Sequence, residues 1–145
     1  MGTHRMENCV RQLYKEVYSK GNINICDECC AKDMKMHDAA ISTSIRGIDA
    51  FKESEAIYHK AFPNKKANID DIFVADDRVV VRWSFSGKQD GDLQGIAPTH
   101  KTVHIKGISI YRFEEEKISE IWQSWDRLGL LEQLGVIQPA HALHF

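Results

Sequence analysis

The sequence has no apolar stretch that is long enough to cross a membrane. A transmembrane helix needs about 20 consecutive apolar residues, and no run in the 145 residues approaches that length. No signal peptide opens the chain, so we expect a cytoplasmic protein. Internal repeats and low-complexity segments are also missing, which argues against a repeat architecture.

The chain carries little excess charge of either sign. Its 19 basic and 21 acidic residues give a net charge of −2, so neither nucleic acid nor an anionic membrane is expected as a partner. Hydrophobic residues make up 43% and charged residues 28%, an ordinary soluble balance. The length suits a single domain over 1–145, with a core at 6–137 between tails 1–5 and 138–145.

Cysteine is also sparse, with four residues in the chain. Cys26, Cys29 and Cys30 cluster, and on a helix they would share one side, whereas Cys9 lies far upstream. A structural zinc site usually adds a second Cys or His pair at a characteristic spacing, and no such pair is present. The pattern therefore favours thiols that line a core face over a metal site or disulfides.

The periodicity predicts helices first and strands afterwards. Apolar residues at helical spacing end at Lys20-Gly21-Asn22, and Phe51, Glu55, Tyr58 and Phe62 form one stripe of a later helix. The predicted helices cover residues up to 20, Ile23–Ala31, Ile48–Phe62 and Leu128–Leu134. An extended piece spans 34–40, and strands are predicted at Ala67–Ala75, Arg78–Gly87, Thr102–Phe113 and Lys117–Asp126. This order favours an α+β fold with the helices packed on one face of a curved sheet.

The last predicted strand delivers a carboxylate, Asp126, to the end of a tryptophan-rich segment. Strand alternation places Ile118, Glu120, Trp122, Ser124 and Asp126 on one face, and Ser119, Ile121, Gln123 and Trp125 on the other. A carboxylate beside two tryptophans is suited to proton transfer when it is partly desolvated. Asp126 is equally suited to cap the following helix, and the two roles do not exclude each other.

The chain resembles the SnoaL-like polyketide cyclase family, also called ester cyclases, of the nuclear transport factor 2-like superfamily. The resemblance covers about residues 6–137, and its most specific segment is WQSWDRLGLLEQLG. Other segments that carry it are VYSKGNINICDECCAKDMKMHD, IRGIDAFKESEAIYHKAFPN and VVVRWSFSGKQDGDLQGIAPTHKTV. It implies a cone-shaped, curved antiparallel sheet, nuclear transport factor 2-like or cystatin-like, whose deep pocket is closed by the N-terminal helices.

The resemblance also implies a reaction. Members of the family with known chemistry use an aspartate on the last strand as acid/base in an intramolecular aldol ring closure, without metal or cofactor. That aspartate matches Asp126, and His37 lies in a segment that the family places at the pocket wall. His37 is therefore the first candidate donor, with a structural bond to a backbone carbonyl as the alternative. Candidate substrate-binding residues, each of which could instead belong to the core, are Tyr58, Trp83, Phe85, Ser109, Tyr111 and Trp122.

The sequence departs from the family pattern before the long strand. The family usually has Pro-Thr-Gly there, whereas this chain has Pro98-Thr99-His100. If the turn needs a positive φ, His100 adopts a strained conformation at the pocket rim. His141 and His144 follow Pro139 in the tail and are not expected to be catalytic.

Three classes of function remain open. The first class is a cofactor-free cyclase that acts on a hydrophobic, oxygenated small molecule. The second class is another enzyme, such as an isomerase, dehydratase or epoxide hydrolase. The third class is a non-catalytic binding module for a small apolar ligand. A homodimer is expected as well, because Ile108 and Ile110 share their strand face with His104, Lys106 and Arg112.

Overall fold

The structure, a computed structural model, describes residues 2–138. His141 and His144 therefore lie outside the described residues. Its α-helices are α1 (Thr3–Gln12), α2 (Cys26–Cys29), α3 (Ile48–Ala61) and α4 (Arg127–Gln133). Its strands are β1 (Cys30–Asp38), β2 (Ile45–Arg46), β3 (Lys66–Ala75), β4 (Arg78–Lys88), β5 (Thr102–Glu114) and β6 (Lys117–Trp125). No helix of this part of the chain is long and apolar enough to cross a membrane.

The N-terminal helix begins earlier in the chain than the helical spacing of its apolar residues indicated. The second helix is shorter than the predicted one. Helix α1 begins at Thr3 and continues as a π-helix over Leu13–Ser19, which ends before Gly21 at φ +75°. The prediction of a helix over Ile23–Ala31 is wrong at its end. Cys30 already pairs with Ile118 of β6, and this sheet contact overrides the helical pattern.

Six strands form one curved, open sheet in the order β2-β1-β6-β5-β4-β3. Every neighbouring pair is antiparallel except β1 and β6, which run parallel. The expectation of an antiparallel sheet is therefore correct for four of the five pairs and wrong for this one. The fold is the expected α+β class, with the helices on the concave face.

A β-bulge in β6 changes which residues face inward. Phe113 pairs with Ile118 but Arg112 pairs with Glu120, so Ser119 is the extra residue between them. The predicted grouping of Ile118 with Glu120 is therefore wrong. After the bulge, alternation resumes, and the inward side chains of β6 are Ile118, Ile121, Gln123 and Trp125.

The hydrophobic core consists of two clusters that meet at Trp83. The larger one packs the N-terminal helices on the sheet and includes the buried thiols of Cys26, Cys29 and Cys30, as the sequence predicted. The smaller one joins the end of α3 to α4. Gly107 faces Trp83 across the strands, and a Cβ at Gly107 would lie 2.3 Å from the indole ring. The absent side chain therefore makes room for Trp83 between the clusters.

Asp126 caps the last helix. Its Oδ1 accepts a hydrogen bond of 2.8 Å from the backbone N–H of Gly129, and its side chain is exposed. Gly129 also fits closely, because a Cβ there would lie 2.2 Å from the carboxylate. The capping role that spacing suggested for Asp126 is therefore present in the structure.

Removal of this cap should weaken the fold modestly. We expect Asp126→Ala to lower the free energy of unfolding by about 1 kcal/mol, because one N–H at the start of α4 loses its acceptor. Asp126→Asn keeps an acceptor oxygen and should stay close to the wild type. Urea denaturation of the three proteins measures the difference, and equal stability of the Ala and Asn variants would contradict a capping role.

Candidate active site

A cavity of about 160 Å³ lies between the helices and the concave face of the sheet. Its wall is mostly aromatic and aliphatic, with Tyr58, Phe62, Trp83 and Phe85 among the largest contributors. Tyr58, Trp83 and Phe85 were predicted from the sequence to contact a ligand, and all three line the cavity. A partly open cavity with a mostly apolar wall suits a small organic molecule.

Asp38 supplies a carboxylate to this apolar cavity. The indole N–H of Trp125 donates to both carboxylate oxygens, at 3.0 and 2.9 Å, and the Gln123 amide donates to Oδ2 at 3.1 Å. The backbone N–H of Ala40 donates to Oδ1 at 2.8 Å. These bonds fix the orientation of the carboxylate and replace part of its hydration.

Strand alternation explains why Asp38 points inward. Along β1, Met34 and Met36 are buried, and Asp38 continues their face, whereas His37 belongs to the other face. Asp38 pairs with Gln123 across the parallel strands, so the Gln123 amide lies within reach. The sequence analysis missed Asp38, although the alternation of Met34-Lys35-Met36 already indicated the side to which it belongs.

His37 lies outside the cavity, so the prediction that it shares a pocket with the acid/base is wrong in position. Its Nε2 lies 2.5 Å from Glu120 and its Nδ1 lies 2.8 Å from Ser44. The ring packs against Trp122 with the centroids 5.8 Å apart. Hydrogen bonds from His37 first and then from Arg112 lower the pKa of Glu120. This group is an ionic cluster on the outer face of the sheet.

Trp122 and Asp126 are also on the outer side, contrary to their predicted place at the pocket. Trp122 lies under the guanidinium of Arg78, 5.5 Å from the ring centroid. Asp126 borders an open groove with Arg82 and Lys106. The physical reason is that β6 presents Gln123 and Trp125 to the cavity, so the alternate set that contains Trp122 must face away.

Glu55 is a second carboxyl group in the cavity wall, on helix α3. Burial raises its pKa from 4.5 to about 7, and the charge of Lys65 opposes this rise. The Lys65 amine donates to the backbone carbonyls of Val17, at 3.3 Å, and Tyr18. Burial has the opposite effect on the amine, because it lowers the pKa of Lys65. The cavity therefore contains carboxyl groups in two different environments.

Ser109 and Tyr111 lie behind the cavity wall instead of lining it. Both are buried on the inward face of β5, as strand alternation predicted. Ser109 Oγ accepts a hydrogen bond of 2.9 Å from the Trp83 indole, and Tyr111 donates at 2.9 Å to the hydroxyl of Tyr14. Tyr111 also lies 3.2 Å from the hydroxyl of Tyr18. Tyr14 and Tyr18, whose hydroxyls contact that of Tyr111, line the cavity in their place.

A loop between β4 and β5 forms one rim of the cavity and contributes Gln94. The buried Gln89 side chain organises it by accepting from both donors of Thr99 and donating to backbone carbonyls that include that of Ile96. His100 adopts φ +58°, as expected for a residue in place of the usual glycine, and its Nδ1 lies 2.9 Å from Asp90. His100 thus lies in this loop and contacts Asp90, but it does not line the cavity.

Metal-binding geometry does not occur within residues 2–138. No group of three or more His, Cys, Asp or Glu side chains in this range is placed to hold a metal ion. The polar groups of the cavity include carboxyl, amide, amine, guanidinium, hydroxyl and phenol groups. These groups are suited to transferring protons and to donating hydrogen bonds.

Solved structures with the same fold include three informative neighbours. A candidate SnoaL-like polyketide cyclase from Jannaschia sp. CCS1 is 18% identical with a TM-score of 0.85, covering 93% of this chain and 94% of that one. A candidate polyketide cyclase from Acidithiobacillus ferrooxidans is 28% identical with a TM-score of 0.78, covering 91% and 95%. AclR, a candidate hydroxylase from Streptomyces galilaeus, is 18% identical with a TM-score of 0.84, covering 96% and 86%. Among curated proteins, none matches the chain in sequence.

The fold and the sequence lead to the same family. The sequence profile of the SnoaL-like polyketide cyclase matches residues 8–134, which is most of the chain. The six-stranded curved sheet, with helices over its concave face, is the architecture of the structural neighbours. The chain therefore belongs to the SnoaL-like polyketide cyclase family.

Proposed function

We propose that this protein is a cyclase-type enzyme that carries out acid/base chemistry on a small, apolar molecule with carbonyl groups. The observation that carries this proposal is the Asp38 carboxylate, held by Trp125 and Gln123 in a cavity whose wall is mostly aromatic and aliphatic. Intramolecular aldol closure requires a base that removes a proton from the carbon next to a carbonyl. We assign that role to Asp38 in place of Asp126.

The cavity also offers a donor for the oxyanion that forms when this proton leaves. Burial raises the pKa of Tyr58 to about 12, with further increases from the charges of Asp38 and Glu55. Its phenol is therefore protonated at neutral pH. Tyr58 lines the cavity and, among the described residues, makes no hydrogen bond through its hydroxyl. It is free to donate to a substrate oxygen as charge develops there.

Two alternatives use the same cavity. The first is another acid/base reaction on this fold, catalysed by an isomerase, a dehydratase or an epoxide-opening hydrolase. The likeness to AclR, which is named as a candidate hydroxylase, shows that proteins of this fold are named for different reactions. The second is a binding module that holds an apolar ligand without turnover. A binding module needs no second titratable group beside the carboxylate, so the presence of Glu55 favours an enzyme.

We also propose that the outer face of the sheet joins two copies of the chain. A row of side chains crosses this face through the paired residues Phe73, Val80, Ile110 and Trp122. Phe73 is 53% exposed, and Ile108 in the adjacent row is 51% exposed. Large apolar side chains left open on a sheet face are typical of a contact surface.

Replacement of Asp38 should abolish proton abstraction. The probe is 5-nitrobenzisoxazole, a small planar carbon acid: a base removes its C3 proton, the N–O bond breaks and a coloured cyanophenolate forms. We expect Asp38→Asn to lower kcat/KM for this elimination by roughly 10²–10⁴-fold, the usual contribution of a positioned base. A thermal-shift screen of aromatic and polyketide-like ketones then identifies closer substrate analogues.

Asp126→Asn is the matched control for this experiment, because it removes a carboxylate from the outer edge and keeps the cap. We expect its kcat/KM to stay near the wild-type value. A large loss in Asp126→Asn, with none in Asp38→Asn, would return the role of base to Asp126. If ketones stabilise the wild type but neither they nor the probe are turned over, the binding module is the better account.

The proposed dimer gives a separate prediction. Light scattering at micromolar concentration should give roughly twice the chain mass of 16.6 kDa. Ile108→Asp places a charge on the outer sheet face and should yield the monomer mass. The control is Ile57→Asp on helix α3, at a side chain that is 39% exposed, and it should remain dimeric. A monomeric wild type at this concentration would rule out the proposed interface.

A further inference from the structure

Glu55 has an unusual combination of surroundings. It lines the cavity and is half-buried, yet no described residue donates a hydrogen bond to its carboxyl group or forms a close ion pair with it. A buried carboxyl group is normally hydrogen-bonded or paired. Lys65, the cation whose charge lowers the pKa of Glu55, instead directs its amine to the backbone carbonyls of Val17 and Tyr18. The Glu55 oxygens are therefore left for a ligand.

Glu55 lines the same cavity as Asp38 and Lys65. The charges of Asp38 and Glu55 both raise the pKa of Tyr58, and the charge of Arg127 lowers it. Lys65 is affected by Glu55 and not detectably by Asp38. Tyr58 follows Glu55 by three residues on α3, so the two side chains project from the same face of the helix. A ligand in the cavity can thus contact both carboxyl groups.

The ionisable groups around Glu55 come from the N-terminal helical segments, from α3 itself and from the residue before β3. The ionisable groups on which its charge acts are Tyr14, Tyr18, Cys26, Tyr58 and Lys65. Four of these five are neutral at pH 7 and do not compensate a negative charge. Because burial raises its pKa to about 7, the Glu55 carboxyl still carries its proton in part of the molecules at neutral pH.

We propose that Glu55 is a second catalytic residue, the proton donor that allows this site to eliminate water from β-hydroxy carbonyl compounds. The inference rests on the proposed role of Asp38 as base. Asp38 removes the proton from the carbon next to the carbonyl, and that electron pair forms the new C=C bond. The bond between the β-carbon and its hydroxyl oxygen breaks, and the proton of Glu55 completes the leaving water molecule.

A pair of carboxyl groups in unlike environments is the arrangement that such an elimination requires. Asp38 accepts hydrogen bonds from three donors, which hold its carboxyl group in place, whereas Glu55 accepts none among the described residues. Separate acid and base roles for two carboxyl groups follow from this kind of difference. Hydroxide is a poor leaving group, so donation of a proton to it lowers the barrier.

The test uses the racemic aldol adduct 4-hydroxy-4-phenylbutan-2-one, whose dehydration gives an enone that absorbs in the near ultraviolet. We expect Glu55→Gln to lower kcat/KM for dehydration by roughly 10²-fold or more, because the amide cannot donate an acidic proton. The wild-type rate should fall as the pH rises above about 7, and the variant should lose this dependence. Glu53→Gln, at an exposed position on the same helix, should match the wild type.

The elimination of 5-nitrobenzisoxazole separates this inference from the proposed function. That reaction needs a base and no proton donor, so Glu55→Gln should retain the wild-type rate within a few-fold. If the wild type turns over the benzisoxazole but not the β-hydroxy ketone, the donor role of Glu55 fails and Asp38 remains the base. If it turns over neither compound, both proposals fail. Unchanged dehydration in Glu55→Gln also overturns the inference.

The stability of the protein provides a readout without any substrate. The pKa of Glu55 is higher in the folded chain than the ordinary 4.5, so the folded state binds the extra proton. Wild-type stability should therefore be highest below pH 4.5 for this group and fall as the pH rises to about 7. The folding equilibrium should change by roughly 10²–10³-fold over that window. Glu55→Gln should remove this decline and Glu53→Gln should keep it; a decline that persists in Glu55→Gln contradicts a shielded carboxyl.

Discussion

The hydrogen bonds from Trp125 and Gln123 to Asp38 are the interaction on which the rest of the site depends. A carboxylate in an apolar cavity is costly unless donors replace its lost hydration. Here the donors come from β6 and the carboxylate from β1, and the two strands are neighbours in the sheet. The same bonds therefore join two parallel strand ends and orient the only aspartate that lines the cavity within the described residues.

The parallel pairing of β1 with β6 and the bulge at Ser119 determine which chemistry faces inward. Asp38 is opposite Gln123, and Trp125 follows on the same inward face. One residue of slip would direct Trp122 and Glu120 to the cavity instead. The outer face now holds Glu120 in contact with His37 and Arg112, where solvent can share the charges. The strand register thus separates an ionic surface from a cavity with few polar groups.

Most of the architecture could be predicted from periodicity, whereas the identity of the site could not. The long strands and α3 follow clear patterns, and their observed bounds differ by one or two residues. The inward face of β6 is ambiguous because Trp122 and Trp125 place an aromatic on each side. The prediction chose the side of Trp122, and the Asp126 and His37 assignments followed from that choice. Only the register of β1 against β6, which are distant in the sequence, shows which side of β6 faces the cavity.

Glu55 is the opposite case, because the local helical pattern already indicated that its side chain faces inward. It shares a helical stripe with Phe51, Tyr58 and Phe62, all of which are inward or line the cavity. An acidic residue in such a stripe is unexpected for a helix that only packs on a core. The sequence could indicate that Glu55 faces inward, but not that its carboxyl would lack a partner there.

A carboxyl group without a protein partner lowers the stability of the fold at neutral pH, since its ionisation is opposed by burial. Replacing it with an apolar residue would remove that cost without disturbing α3. Residues that reduce stability in this way are typical of sites whose polar groups are kept for a ligand. The two aspartates differ in what their contacts do: Asp126 caps a helix end, whereas the fold holds the Asp38 carboxyl group at the cavity wall, where our proposal gives it a role. The fold accounts for the family resemblance, and the reaction that we propose depends on the two inward carboxyl groups.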